Sequence, residues 1–200
     1  MLNLMKENKT YYQASRHPEL IELSKAPFLT VSDKGAPGSP THMSAIESIH
    51  TVAYALKAIY IELGKDFAVP VLEGLWWVEE ERPALEVPTE EWYWKLIIRV
   101  PEFVLNEHLE QVKQNIQRNN PELSHIQMID IELIEEGLSV QMLHIGPYEK
   151  EPETVQQIEA FMNKHNLVQN GLHHEIYLSD FQTTPPDKIQ TILRYPVKNK

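Results

Sequence analysis

Residues 173–180 read "HHEIYLSD", and the way their side chains alternate decides the fold. Successive side chains of a strand point to opposite faces. As a strand, this stretch sends His173, Glu175 and Tyr177 one way and His174, Ile176 and Leu178 the other. The second set carries two aliphatic side chains and belongs on a helix-covered core. The first is polar and aromatic, as a surface facing a ligand would be. A buried carboxylate without a partner is expensive even after relaxation. A Glu175 drawn into the sheet therefore needs a partner or a raised pKa. The plain alternative is a Glu solvated on an open face.

Working outward, "KIQTILRYPV" (188–197) supplies a following strand. Before "HHEIYL", the apolar positions Val155, Ile158, Phe161 and Met162 mark a helix over roughly 153–165. "HIQMIDIELIEEGLSVQMLHIG" (125–146) reads as two strands around a Glu136-Gly137 turn. "WYWKLIIRVP" (92–101), rich in aromatic and β-branched residues, is a strand. An amphipathic helix over about 102–118 follows it, with Val104, Leu105, Leu109, Val112 and Ile116 on its stripe. "FAVPVLEGLWWV" (67–78) is a strand interrupted by Pro70 and Gly74, followed by the charged loop "EEERPALEVPTEE" (79–91).

A long helix is predicted from Met43, Ile46, Ile49, Val52, Ala53, Leu56, Ile59, Tyr60 and Leu63, with Ser39 or Thr41 as its cap and Gly64 at its end. "APFLTVSD" (26–33) is a short strand closed by the turn-rich "KGAPGSPT". Residues 1–25 are polar without a clear period and read as a lead-in arm, too short and too little basic for a helix-turn-helix domain.

Residues 27–101 and 139–197 thus share one order: strand, helix, strand, strand, with 102–138 as connector. The expected fold is α+β, a duplicated module of antiparallel sheets with helices on one face of each. The uncovered faces must bury themselves against each other or against something else. Residues 26–200 are expected to form the folded domain behind the arm.

Composition narrows the function. At 42% apolar and 24% charged, 200 residues suit one compact domain or two small packed modules with a real core. The balance of 18 basic against 29 acidic residues leaves −11, which repels phosphate backbones. Nucleic acid is not an expected partner; a cationic or neutral small molecule fits the sign better. The lack of cysteine excludes disulfides, thiolate catalysis and cysteine-based zinc sites. No apolar run reaches signal-peptide or membrane-span length, so a cytoplasmic protein without membrane association is expected.

Several residues are candidates for chemistry. Glu73, in "VPVLEGLWWV", stands at the place comparable to Glu175, with Leu75 and Trp77 on its side. Two carboxylates in related positions, each near aromatics, motivate a site, although Glu73 reads equally well as solvated. Trp76, Trp77, Trp92 and Trp94 sit on two strands that should pair. Trp92 and Trp94 share a face, whereas Trp76 and Trp77 point opposite ways. At least one ring should border the ligand surface while others fill the core; stacking adds ~0.5–1.5 kcal/mol beyond burial. In "LHIGPY", Gly146-Pro147 bends the chain and throws Tyr148 sideways, toward a ligand or a loop. His144 reads as structural. His173 and Glu175 share a face, but two such residues imply no metal site, and no metal or cofactor is expected. There is no phosphate-cradling glycine loop and no nucleophilic Ser elbow.

The segments "VLEGLWW", "WYWKLIIRVPEFV", "LHIGPYEKEPET" and "HHEIYLSDFQTTPPDKIQTILRYPV", in this order, resemble the GyrI-like small-molecule-binding family over about Phe28 to Val197. The resemblance implies two modules related by pseudo-twofold symmetry, with a ligand groove between them. It also implies a groove carboxylate that receives cationic or polar aromatic compounds, and Glu175 matches that position. Members that activate transcription attach this domain to a DNA-binding helix-turn-helix, which this sequence does not show. The paired tryptophans and the "HHEIYLSD" strand are similar to members that hydrolyse cyclopropane-bearing DNA-alkylating antibiotics. On that likeness Glu175 or Glu73 deprotonates a water and Tyr148 polarises a conjugated carbonyl. Trp77, Trp94 and Tyr177 hold the flat compound, with His173 and Trp92 beside it. The alternatives are a passive binder that sequesters drugs and a regulatory partner of another protein.

Overall fold

The computed structural model describes residues 1–79 and 86–200; residues 80–85 of the predicted charged loop lie outside the described residues. In chain order the elements are α1 (Leu4–Glu7), α2 (Lys9–Tyr12), β1 (Glu19–Leu23), β2 (Ala26–Lys34), α3 (Pro40–Glu62), β3 (Glu73–Trp77), β4 (Tyr93–Arg99), α4 (Asn106–Asn119), β5 (Asp130–Ile134), β6 (Gly137–Ile145), α5 (Glu151–Lys164), β7 (Leu167–Gln169), β8 (His173–Tyr177) and β9 (Gln190–Asn199). The chain divides into two compact units, one of residues 1–7 and 26–134, the other of residues 8–25 and 135–200.

The first unit is organised by α3. Ser39 caps it by accepting from the backbone N–H of His42 at 3.3 Å, and Pro40 occupies the first turn, where a missing N–H is harmless. Gly64, at φ +70, ends it in a conformation that favours glycine. Its inward stripe of Ala45, Ile49, Val52, Ala53 and Leu56 is buried against Leu29 and Val31 of β2 and Trp94, Leu96 and Ile98 of β4. Each large aliphatic side chain buried in this way contributes ~1.5–3 kcal/mol. α4 closes the same core with Leu109, Val112 and Ile116. The strands run antiparallel in the order β3-β4-β2-β5. Only 73–77 of the predicted 67–78 strand forms a ladder, while Phe67 bridges to Leu2. Pro70, lacking an N–H, cannot donate to a ladder there.

The second unit repeats the plan. β8, β9, β6 and β1 run antiparallel in that order, and β7 pairs with the last residues of β9. α5 lays Ile158 and Met162 on Val140 and Met142 of β6 and on Leu193 and Val197 of β9. The strand-helix-strand-strand order expected from the sequence is present in both units.

Two expectations need correction. The first 25 residues are not a bare arm: β1 pairs with β6, and Tyr11 and Tyr12 are buried. "ELIEL" alternates too briefly for its period to stand out in the sequence. The strands flanking Glu136 are also not a hairpin. β5 pairs with β2, whereas β6 lies between β1 and β9. The predicted connector and the predicted arm each supply one edge strand to a unit.

Candidate functional site

β8 alternates as its sequence requires, with His174 and Ile176 buried and His173, Glu175 and Tyr177 half-buried. The faces, however, are the reverse of the expectation. Residues directly opposite in a ladder share a face. Glu175 stands opposite Leu193, which stands opposite Met142, and both belong to the core beneath α5. His173, Glu175 and Tyr177 therefore point to the helix side, and His174 and Ile176 point away from it. Alternation alone determines which residues go together, not which set the helix covers.

On the face away from α5, residues 8–25 do the covering. His174 Nδ1 lies 2.8 Å from Glu136 Oε1, and Arg194 Nη1 donates to Glu136 Oε2 at 3.1 Å. Arg194 also donates through Nε and Nη2 to Gln141 Oε1 and through Nη2 to the carbonyl of Tyr11, with its guanidinium 4.4 Å from the Tyr11 ring. Burial alone would raise the Glu136 pKa, but His174 and Arg194 outweigh it and hold the carboxyl down at about 2. These groups satisfy one another, so this face is structural.

The α5 face carries the candidate chemistry. Glu175 Oε1 lies 2.9 Å from His173 Nε2, and Oε2 accepts from the Tyr177 hydroxyl at 2.8 Å. Its side chain is only 15% exposed, so it is not a Glu in open solvent. Gly146, at φ +139, and Pro147 turn the chain out of β6 into a 3₁₀ turn at Tyr148–Lys150, and α5 begins at Glu151. His144 braces this bend, with Nδ1 2.8 Å from Thr154 Oγ1 and Nε2 3.2 Å from the Pro147 carbonyl, the structural role read from the sequence. The turn brings Tyr148 edge-to-face onto Tyr177, with ring centroids 6.3 Å apart. One polar atom from each of Glu151, His173 and Glu175 lies within 4.8 Å of the others.

Electrostatics follow from this crowding. Burial, then the charges of Glu175 and Glu149, push the Glu151 carboxyl up to about 9. The N-terminus of α5 favours the charged form, but a helix dipole contributes at most ~2 kcal/mol even to a partly buried acid. That is about one and a half decades of acidity, less than the rise that burial and the neighbouring charges produce at Glu151. Burial, with Glu151, Glu175 and Asp180, pushes the Tyr148 hydroxyl up to about 12. Burial and the charges of Glu159, Glu175 and Glu151 move Tyr195 in the same direction; its ring packs 4.9 Å from that of His173. The cluster therefore sets a carboxyl engaged on both oxygens beside a second carboxyl and phenols whose pKa values are raised. By composition Glu151, His173 and Glu175 could surround a cation, yet Glu175 and His173 already spend their facing atoms on each other. The arrangement suits proton transfer.

Of the residues singled out from sequence, Glu175, His173, Tyr177 and Tyr148 come together here. Glu73 does not share their setting. It is fully buried in the first unit and stands opposite Ile97, on the face turned away from the α3 core; Glu175 lies on the α5 side of its own sheet. The two acids are thus not in like positions, because a one-residue offset along a strand changes face. Trp94 is fully buried and Trp76 nearly so, opposite each other and against His42 at 5.2 and 5.4 Å. Trp92 packs on that core and donates to the Val87 carbonyl at 3.0 Å. Trp77 stacks on Tyr93 on the other face, half-buried.

Glu151 was missed. Pro152 beside it is a helix-start signal that would have moved the predicted α5 back to include it, but only the tertiary contact reveals that it meets Glu175. A hollow of about 240 Å³ lies nearby, lined by Arg16, His144, Lys150 and Glu153 among others, and does not include Glu175. In the first unit His125 lies 3.0 Å from Asp33 and 3.3 Å from Ser44, but Ser124 competes for the same ring nitrogen at 3.2 Å. That trio reads as a brace.

Among the described residues, no helix is long and apolar enough to cross a membrane. The chain matches the GyrI-like small molecule binding domain over residues 17–198. An uncharacterized conserved protein from Listeria innocua is 35% identical, covering 99% of this chain and 100% of its own, with a TM-score of 0.92. A hydrolase from the same organism is 34% identical, covering 98% of this chain and 99% of its own, with a TM-score of 0.88. The C-terminal domain of EcmrR, at 11% identity and a TM-score of 0.62 over 92% of this chain and 98% of its own, shares the fold alone. No curated protein matches the chain. With the family match spanning nearly all of its length and the Listeria structures agreeing end to end, the chain belongs to the GyrI-like small molecule binding domain family.

Proposed function

We propose that this protein is a hydrolase of electrophilic, planar, hydrophobic small molecules, acting at the carboxylate–tyrosine cluster of its second unit. The observation that carries this reading is Glu175, held between His173 and Tyr177 at hydrogen-bonding distance beside a second acid. A carboxylate so oriented can take a proton from water, and a positioned base typically contributes ~10²–10⁴-fold. Tyr148, whose hydroxyl stays protonated, is the donor to a substrate carbonyl. The likeness to a Listeria hydrolase over nearly the whole chain supports hydrolysis as the reaction class.

The substrate class rests on the sequence resemblance: drugs with a cyclopropane fused to a conjugated carbonyl, whose strained ring opens to water. Tyr148 and Tyr177 offer aromatic edges to such a compound. Among the tryptophans, Trp77 has a half-buried ring and Trp94 is fully buried.

The test incubates purified protein with a spirocyclopropane-dienone alkylating drug and follows the water adduct by mass spectrometry. Turnover that falls at least about 10²-fold in Glu175→Gln supports the reading. No adduct, or full turnover by Glu175→Gln, ends it. A non-catalytic binder is the second reading, favoured by the small-molecule-binding character of the family. It requires saturable tryptophan quenching with the drug recovered unchanged.

A further inference from the structure

We propose that Glu151 is the proton donor of this site, sharing a single proton with Glu175 and passing it to the substrate oxygen that becomes negative as the ring opens. The inference rests on the hydrolase reading above and assigns the half of the reaction that Glu175 cannot perform.

The geometry makes the division of labour. Two carboxyls whose oxygens lie within 4.8 Å, both drawn out of water, cannot easily hold two negative charges. Glu175 has its oxygens engaged, Oε1 with His173 Nε2 and Oε2 with the Tyr177 hydroxyl. Glu151 Oε1 is buried, and no described group hydrogen-bonds to it. The single negative charge therefore settles on Glu175 and the proton on Glu151, in line with the raised pKa of Glu151. The other groups facing the pair do not supply a cation to reverse this. Tyr148 and Glu149 precede the helix, Tyr177 comes from β8, Tyr195 from β9 and Asp180 from the chain after β8. His173 is the exception in kind, and it faces Glu175. A pair of acids whose surroundings separate their proton affinities is the usual arrangement for acid and base roles.

The step balances. Glu175 takes a proton from water as its oxygen bonds to the cyclopropane methylene. The strained C–C bond breaks, and its electron pair runs through the conjugated ring to the carbonyl oxygen. That oxygen, already hydrogen-bonded by Tyr148, takes the proton of Glu151, leaving an alcohol and a phenol. Glu175 is now protonated and Glu151 charged. Transfer of one proton from Glu175 to Glu151 restores the starting state, with no net proton gained or lost.

The test uses Glu151→Gln, which mimics the neutral carboxyl in shape and polarity but cannot release its proton. First, protein with carboxyl-labelled glutamate is titrated by NMR. One glutamate should stay protonated above pH 7, vanish in Glu151→Gln, and lose its proton at lower pH in Glu175→Gln, where the neighbouring charge is gone. Second, turnover of the spirocyclopropane-dienone drug is measured. Glu151→Gln should lower kcat about 10²-fold with KM little changed and remove the alkaline limb of the pH profile. If no glutamate is protonated at neutral pH, or if Glu175→Gln leaves its titration unmoved, the shared proton is refuted. If Glu151→Gln turns over at the wild-type rate while Glu175→Gln does not, the donor role is refuted and the hydrolase reading stands. A protein inert to the drug with the shared proton intact refutes both the hydrolase reading and the donation step.

Discussion

Replacing Glu136 by Gln should remove about 3 kcal/mol from the second unit at neutral pH, and the loss should depend on pH. Glu136 is 7% exposed and sits between His174 and Arg194, which is fully buried. Burial works against its charge, and His174 and Arg194 more than compensate, holding its pKa down at about 2 instead of 4.5. Each decade of acidity is worth about 1.4 kcal/mol, which places the contribution at about 3 kcal/mol. Direct estimates for breaking a buried pair, ~3–5 kcal/mol, agree, because the arginine is left buried without its partner. A carboxyl whose folded pKa is depressed stabilises fully above its unfolded value and loses that contribution as pH falls through the folded value. The window is therefore from about 4.5 down to about 2.

Amide exchange of β8 and β9 reports the second unit by itself, which matters because two units need not unfold together. Exchange in wild type and Glu136→Gln, measured from pH 7 to pH 2, should differ by about 3 kcal/mol at the top and converge at the bottom. At pH 2 the wild-type carboxyl is itself becoming neutral. A difference that stays constant with pH, or one below about 1 kcal/mol at pH 7, would refute the assignment of Glu136 as the charge that holds Arg194.

Tyr60→Phe should cost about 1–3 kcal/mol in urea unfolding, because its hydroxyl donates to the Phe103 carbonyl, accepts from the Leu105 N–H and meets His108 Nδ1. Gly171→Ala should destabilise by about 1–3 kcal/mol, since the new methyl would lie 2.7 Å from Pro196 Cγ, whose ring cannot swing away; an unchanged midpoint would show that the β7–β8 turn yields. Trp94→Ala should cost about 3–5 kcal/mol as a core deletion, while Trp77→Ala, at a half-buried ring, should cost far less and act on ligand quenching instead.

Much of the fold was legible because periodicity survives in a single chain. The stripe of α3, the cap at Ser39 and the alternation of β8 depend on neighbours a few residues apart. The structure reproduces them with ends moved by a few residues. Glu175, His173, Tyr177 and Tyr148 were readable as a polar-aromatic set for the same reason.

Partners set by long-range pairing were not legible. Nothing local says that "ELIEL" joins β6, or that the strands on either side of Glu136 pair within different units. Glu151 lay outside the predicted helix and was given no role until the chain placed it beside Glu175. The sequence alone determined which side chains travel together, since backbone geometry dictates that two or four residues ahead lies the same face. Only the tertiary structure decided which face meets a helix and which two acids lie side by side, since both depend on burial and on distances between segments far apart in the chain.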